Sequence, residues 1–204
     1  MTRIKLCGMF RECDIDYANE ALPDYVGFIL FFPKSHRNIS VETAEKLKKR
    51  LDQRIRSVGV FVNAPPERCA ECFDRGIVDL IQLHGSEDEG YLRSLRAICK
   101  APIIKAVKVG STEDVRAAER FHADYLLFDS GTGSGKTFDH RLLGNASVGS
   151  PFFLAGGLTP QNLPETIRQY RPYAIDLSSG IETDGKKDRE KMIEAVRAAR
   201  EALP

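Results

Sequence analysis

Apolar and polar residues alternate in short runs along the chain, and two of these runs end in reactive side chains. In the first run Ile4 and Leu6 share one face of an extended segment, whereas Cys7 lies on the other face. In a run near the middle of the chain, Phe128 and Asp129 likewise lie on opposite faces. Both runs therefore predict β-strands that end in a group able to exchange a proton, a thiol in one and a carboxylate in the other.

Runs of this kind recur eight times, separated by segments whose apolar residues follow helical spacing. The predicted helices include one with Val41, Ala44, Leu47 and Leu51 on one face, and a last one with Met192, Val196, Ala199 and Leu203. Alternating strands and helices predict parallel pairing, and eight units predict a single (β/α)8 barrel domain over residues 1–204. The predicted strands are Ile4–Cys7, Tyr25–Leu30, Ser57–Val62, Leu80–His84, Ile103–Val109, Tyr125–Asp129, Phe152–Ala155 and Ala174–Ser178.

The alternative architecture is a doubly wound open sheet, which often carries a GxGxxG loop after its first strand. The segment Cys7-Gly8-Met9 lacks that pattern. In a barrel, the strand residues that do not face the helices point into the lumen. Polar side chains at the carboxyl ends of the strands therefore converge at that end of the barrel, its top. These are Cys7, His84, Asp129, Asp176 and Ser178.

Glycine-rich segments follow the seventh and eighth predicted strands, at Ala155–Pro160 and Ser178–Gly180. Glycine lets the backbone approach a ligand closely, and barrels commonly bind phosphate at these two loops. The alternative is that the glycines only make tight turns. A third glycine-rich segment, Ser130–Asp139, predicts a mobile loop over the barrel mouth, and it lacks the GxxxxGK[ST] spacing of a nucleotide site.

The second strand leads into a loop with aromatic residues and Arg37, whose planar guanidinium could bind an aromatic acid. Taken alone, Arg37 could also be a solvated surface residue, Cys7 a buried strand cysteine and His84 a core histidine. No Ser-His-Asp set and no metal-ligand spacing is evident. Proton transfer is therefore the chemistry that these residues favour.

Composition narrows the choice of ligands and location. The formal net charge of +1 gives no basic excess for a nucleic acid, and no apolar run is long enough to cross a membrane. The chain start shows no signal peptide, so we expect a cytoplasmic protein. Five cysteines form an odd set that favours reduced thiols. The Cys69-Ala-Glu-Cys72 pair has zinc or redox spacing, but without a second pair it favours ordinary helix packing.

Taken together, these segments resemble the phosphoribosylanthranilate isomerase family of tryptophan biosynthesis. The similarity runs in family order from residue 3 to about residue 188, and the set is far more specific than any single block. The matching blocks are Lys5–Met9, Val26–Phe28, Ser57–Asn63, Ile81–Gly85, Leu127–Ser130, Thr137–Asp139, Leu154–Leu158 and Asp176–Glu182. One departure is His36, which stands where the family usually has proline.

The resemblance implies a (β/α)8 barrel that catalyses an Amadori rearrangement of N-(5-phosphoribosyl)anthranilate to 1-(2-carboxyphenylamino)-1-deoxyribulose 5-phosphate. It implies no metal and no organic cofactor, a small-molecule substrate, and a monomer or homodimer. The implied roles are Cys7 as general base, Asp129 as general acid, Arg37 for the anthranilate carboxylate, His84 and Asp176 for substrate binding, and Gly156, Gly157, Ser179 and Gly180 for the phosphate.

Two rival functions stay open at this point. A related sugar-phosphate isomerase that also acts on the histidine-pathway aminoaldose typically uses two carboxylates, whereas this chain has Cys7 in the first position. A non-catalytic phosphate-binding barrel would need neither Cys7 nor Asp129, and their joint presence argues against it.

Overall fold

The structure is a computed structural model, and it describes residues 1–129 and 148–202. Within these ranges eight parallel strands form one closed sheet, with β1 hydrogen-bonded to both β2 and β8. The strands are β1 Arg3–Cys7, β2 Tyr25–Leu30, β3 Arg56–Phe61, β4 Leu80–Leu83, β5 Ile103–Lys108, β6 Tyr125–Asp129, β7 Phe152–Leu154 and β8 Ala174–Leu177.

The closed sheet confirms the predicted barrel, and the open-sheet alternative is wrong. Each of the eight predicted strands is present, and its ends lie within one residue of the prediction. The register places Cys7 beside Gly27 of β2 and Lys5 beside Asp176 of β8. Closure therefore brings together residues that lie about 170 positions apart in the chain.

Seven α-helices surround the sheet in the described part of the chain. Several begin at a side chain that accepts a backbone N–H: Ser40 caps α2, Asp88 caps α4 and Asp188 caps α7. No helix among these residues is long and apolar enough to cross a membrane. The helices are α1 Glu12–Ala21, α2 Val41–Arg50, α3 Pro66–Asp74, α4 Glu89–Ile98, α5 Thr112–Ala118, α6 Leu163–Tyr170 and α7 Arg189–Glu201.

The strands divide their side chains between two hydrophobic cores, as the alternation predicted. Outward residues such as Ile4, Leu6 and Ile81 pack against the helices. Inward residues fill the lumen with a separate apolar cluster: Tyr25, Val58, Leu80, Ile104, Ala106, Leu127, Phe153, Ala155 and Ala174. Among the described residues the lumen is thus a packed core.

Two sequence predictions lie partly or wholly outside the described residues. The predicted face of α7 is confirmed at Met192, Val196 and Ala199, which are buried, whereas Leu203 lies beyond the described part. The predicted mobile loop Ser130–Asp139 also lies outside it.

Two short paired segments hold the loops at the top of the barrel. Asn38–Ile39 pairs with the end of β2, which returns the loop carrying Arg37 to the barrel rim. After β8, Glu182–Thr183 pairs with Lys186–Lys187 in an antiparallel hairpin. Its two turn residues, Asp184 and Gly185, have φ values of 51° and 71°, the left-handed backbone that a two-residue hairpin turn requires.

Candidate active site

A cavity of about 300 Å³ lies at the carboxyl ends of the strands. It is lined by all nine residues that the sequence singled out: Cys7, Arg37, His84, Asp129, Gly156, Gly157, Asp176, Ser179 and Gly180. These residues come from six different strands or the loops that follow them. Their convergence follows from barrel closure, because parallel strands all end at the same rim.

Cys7 occupies the inner wall of the cavity, where only 7% of the residue is exposed. Gly27 makes room for it, since a Cβ atom at Gly27 would lie 2.6 Å from Cys7 Sγ. Burial raises the pKa of the Cys7 thiol, and the negative charge of Asp176 adds to that effect. The positive charges of Lys5 and Lys187 oppose it. The net effect of the site is to raise the pKa of the thiol, and the two lysines limit that rise.

Lys5 and Asp176 form an ion pair inside the barrel, with 2.8 Å between Nζ and Oδ2. The Lys5 side chain is fully buried and the Asp176 side chain is 7% exposed. Burial would lower the pKa of Lys5, but the charges of Asp176 and Cys7 outweigh burial and raise it. Asp176 Oδ1 is also buried and has no hydrogen-bond partner among the described residues. This oxygen can accept a hydrogen bond from a ligand.

Asp129 and His84 face each other across the cavity mouth. His84 Nε2 lies 3.4 Å from Asp129 Oδ2. The other ring nitrogen, Nδ1, lies 2.8 Å from Gln82 Nε2, so Gln82 orients the imidazole. The two polar residues Gln82 and His84 share the lumen face of the β4 run, and both line the cavity. Asp129 is thus held near a second group that can carry a proton.

Arg37 and Glu182 form a bidentate ion pair. Arg37 Nε donates to one carboxylate oxygen at 2.7 Å and Nη2 donates to the other at 2.6 Å. Burial would raise the pKa of Glu182, but the hydrogen bonds from Arg37 and the charge of Lys187 lower it to about 2. The Nη1 donors make no hydrogen bond within the described ranges, so this end of the guanidinium has donors left for a further acceptor.

Gly8 is required for Arg37 to reach this position. Its φ is +82°, a backbone conformation that residues with a side chain rarely adopt, and a Cβ atom there would lie 2.5 Å from Arg37 Cδ. Lys187, whose side chain is fully buried, also binds the Glu182 carboxylate. It donates to Glu182 and to the Ser178 carbonyl oxygen. The interaction between Arg37 and Glu182 is therefore connected to the loop after β8.

The two glycine-rich loops meet at the cavity wall. Gly156 and Gly157 have φ values of 93° and 68°, and neither N–H donates a hydrogen bond to a described residue. Gly180 packs directly on the other loop, because a Cβ atom there would lie 1.9 Å from the Leu158 carbonyl oxygen. Backbone N–H groups that face a cavity in this way suit an anion.

The sequence did not identify Lys5, Gln82, Glu182 and Lys187 as parts of the site. A signal was present for Lys5, because a lysine on the lumen face of a buried strand needs a charged partner. A signal was also present for Glu182 and Lys187, which flank Asp184-Gly185, a typical two-residue hairpin turn.

The remaining cysteine pair lies away from the cavity. Cys69 and Cys72 are buried on α3, and burial raises their pKa values to about 12 and about 11. Thiols of this kind are poor nucleophiles and poor ligands. In the described part of the chain no group of three His, Cys, Asp or Glu side chains could hold a metal ion. The burial of both side chains on α3 agrees with the prediction of helix packing for this pair.

Comparison with known proteins identifies the family of the chain. The family model for N-(5'-phosphoribosyl)anthranilate (PRA) isomerase matches residues 4–198. A curated relative, the N-(5'-phosphoribosyl)anthranilate isomerase of Endomicrobium trichonymphae, is 43% identical over 205 residues, covering 98% of this chain and 99% of the relative.

Solved structures give the same result. The phosphoribosyl anthranilate isomerase of Thermotoga maritima is 35% identical and superposes with a TM-score of 0.88, covering 98% of this chain and 99% of that one. A second structure, a phosphoribosyl anthranilate isomerase in complex with reduced 1-(o-carboxyphenylamino)-1-deoxyribulose 5-phosphate, is 33% identical with a TM-score of 0.86 and the same coverage. The chain therefore belongs to the N-(5'-phosphoribosyl)anthranilate isomerase family.

Proposed function

We propose that Cys7 and Asp129 act as general base and general acid in the reaction of this isomerase. The reaction is the Amadori rearrangement of N-(5-phosphoribosyl)anthranilate to 1-(2-carboxyphenylamino)-1-deoxyribulose 5-phosphate, a step of tryptophan biosynthesis. The observation that carries the proposal is that one cavity exposes a thiol and a carboxylate from strands β1 and β6, with glycine-rich loops at its rim.

The first step opens the ribose ring. Asp129 donates a proton to the furanose oxygen while the anthranilate nitrogen pushes its lone pair towards C1′, so the C1′–O bond breaks and a protonated Schiff base forms. A carboxylic acid can donate in this way only if its site keeps the proton available near neutral pH. His84, 3.4 Å away, is placed to exchange a proton with Asp129.

The second step moves a proton from carbon. The Cys7 thiolate removes the C2′ proton, so an S–H bond forms, the C–H bond breaks and its electrons neutralise the Schiff base to give an enolamine. The enolamine then tautomerises to the ketone. Because the anthranilate nitrogen supplies the electrons for ring opening, this scheme needs neither a metal nor an organic cofactor.

The remaining residues would bind the two charged ends of the substrate. The end of the Arg37 guanidinium would hold the anthranilate carboxylate, and the backbone N–H groups of Gly156, Gly157, Ser179 and Gly180 would hold the phosphate. His84 would line the pocket. Asp176 Oδ1, buried without a partner in the described residues, would accept from the anthranilate amine or a ribose hydroxyl.

The same reasoning extends to assembly and location. We propose one domain over residues 1–204, because the first barrel strand pairs with the last. The domain would act on a small-molecule substrate as a monomer or homodimer and without nucleic acid, in keeping with its net charge of +1. A base that is a free thiol suits the reducing cytoplasm.

The direct test is turnover of the proposed substrate by the purified protein. N-(5-phosphoribosyl)anthranilate loses its fluorescence when it is isomerised, and product should accumulate without added metal or cofactor. The histidine-pathway aminoaldose carries no anthranilate, so its conversion must be followed by chromatographic separation of substrate and product, and it should show no turnover. Activity on the aminoaldose alone would contradict the proposal.

Replacing Arg37 should separate binding from chemistry. Because the anthranilate carboxylate is present throughout the reaction, Arg37→Ala should raise KM by about 10- to 150-fold, the equivalent of about 1.5–3 kcal/mol, with a small effect on kcat. Arg37→Lys retains the charge but loses the planar donors, so it should recover only part of the affinity. An unchanged KM in Arg37→Ala would place the carboxylate elsewhere.

The phosphate site can be tested with a matched pair of glycine variants. Gly157 and Gly76 share a φ of 68°, but Gly76 lies at the end of α3 with no atom near its Cβ position. Gly157→Val should weaken inhibition by inorganic phosphate and raise KM, because the side chain blocks the anion. Gly76→Val carries the same backbone strain and should leave both constants unchanged. Equal effects of the two variants would reject this phosphate position.

A further inference from the structure

Lys5 is the least expected residue of the barrel interior. It lies in the middle of β1, and its side chain is fully buried. The other strands fill the lumen mainly with apolar and aromatic side chains. A buried ion pair rarely stabilises a fold more than well-packed apolar residues would. The ammonium group in this position therefore points to a role other than folding.

The position of Lys5 connects it with two residues of the cavity wall. It lies two positions before Cys7 on the same lumen face of β1. The register of β1 with β8 sets it directly beside Asp176, whose Oδ2 is 2.8 Å from Lys5 Nζ. With Oδ2 held by the lysine, Asp176 has its second oxygen left for a ligand. One ammonium group thus contacts the proposed substrate acceptor and lies beneath the proposed base.

The charge balance around Cys7 explains why a cation is needed there. Four charged groups act on the thiol: Lys5 on β1, Asp176 on β8, Lys187 in the hairpin after β8, and Arg37 in the loop after β2. Arg37 and Lys187 share the carboxylate of Glu182, which offsets part of their charge. Burial and Asp176 both disfavour a thiolate, and among the cations Lys5 opposes them most.

We propose that Lys5 is a positioning residue of this isomerase, whose buried ammonium group stabilises the Cys7 thiolate and holds Asp176 by Oδ2, with Oδ1 left for the substrate. The proposal rests on the proposed function, because it assumes that Cys7 is the base. Lys5 stays protonated throughout. When Cys7 takes the C2′ proton, the thiolate charge disappears. The ion pair of Lys5 and Asp176, which carries no net charge, remains.

The test is the pH dependence of Cys7 alkylation by iodoacetamide. Trypsin releases Cys7 as the sole cysteine of the peptide Leu6–Arg11, or Ile4–Arg11 when residue 5 is no longer lysine, so mass spectrometry follows this thiol alone. Lys5→Met should move the midpoint of the alkylation rate up by about 1–3 pH units, because an opposite charge has been removed. At neutral pH the kcat of Lys5→Met should fall about tenfold for each pH unit by which the midpoint rises. This kcat should recover as the pH of the assay is raised.

Asp176→Asn should move the midpoint in the opposite direction, since it removes a negative charge near the thiol. A role limited to packing would not produce shifts of opposite sign. The matched control is Lys105→Met, because Lys105 is likewise buried and paired with a buried carboxylate, that of Glu87, at 3.0 Å. It should lose comparable stability and leave the Cys7 midpoint unchanged.

Lys5→Met leaves Asp176 without its partner, so it could fail to fold. The double variant Lys5→Met/Asp176→Asn removes both charges, and its midpoint should lie above that of Asp176→Asn alone. Equal midpoints for these two variants, or an unchanged midpoint and kcat in Lys5→Met, would overturn the proposal for Lys5. Cys7→Ala tests the proposed function separately: near-normal turnover by that variant would reject Cys7 as base whatever Lys5 does.

Discussion

Cys7→Ala should lower kcat by about 10²–10⁴-fold, the usual contribution of a general base. The substrate should still bind, because its carboxylate and phosphate would be held by Arg37 and the glycine loops on other sides of the cavity. The loss would therefore appear in kcat, with KM little changed. Steady-state kinetics from the fluorescence assay measure both constants.

Two variants serve as controls for the Cys7 experiment. Cys7→Ser keeps the size of the side chain but is also expected to be poor, since a hydroxyl group is far less acidic than a thiol. Cys99→Ala removes another buried cysteine that does not line the cavity, and its kinetics should stay normal. Normal turnover by Cys7→Ala would end the assignment of Cys7 as base.

Asp129→Asn should reduce kcat by a factor similar to that for Cys7→Ala, again about 10²–10⁴-fold. Asparagine keeps the shape of the side chain but cannot supply the proton that ring opening requires. The fold should persist, because Asp129 lies at the end of β6 and its carboxylate faces the cavity mouth. Kinetics together with circular dichroism would separate lost chemistry from lost structure.

The control for this change is Asp124→Asn, just before the same strand. Asp124 accepts a hydrogen bond from Ile103 N and pairs with Arg96, both remote from the cavity. It should change stability and leave kcat unaffected. Near wild-type kcat in Asp129→Asn would show that another group protonates the ring oxygen.

Much of the fold could be predicted because the relevant signals are local. A strand that packs on helices must be apolar on one face, so the alternation in residues such as Ile4 and Leu6 indicates both the strand and its outward side. Eight such strands imply a barrel, and parallel strands end at one rim. The site residues at strand ends could therefore be placed together before any distance was known.

The pairing within the site could not be predicted in this way. Arg37 was expected to face the substrate carboxylate, and the structure pairs its guanidinium with Glu182, 145 positions away. The sequence likewise left open whether the site favours the thiol or the thiolate form of Cys7. A thiol near neutral pH needs only a small decrease in pKa to act as a base, whereas burial in this cavity raises the pKa of Cys7. Burial and long-range charge are properties of the closed barrel.

The sequence by itself determined the strands, the faces that they bury and the residue types at their ends, because these depend on spacing within one segment. The tertiary structure alone decided which charges meet. Closure of β1 on β8 sets Lys5 against Asp176 and beneath Cys7, and the hairpin after β8 brings Glu182 and Lys187 to Arg37. Such contacts join residues far apart in the chain, and their energies depend on distance and burial, which only the folded barrel specifies.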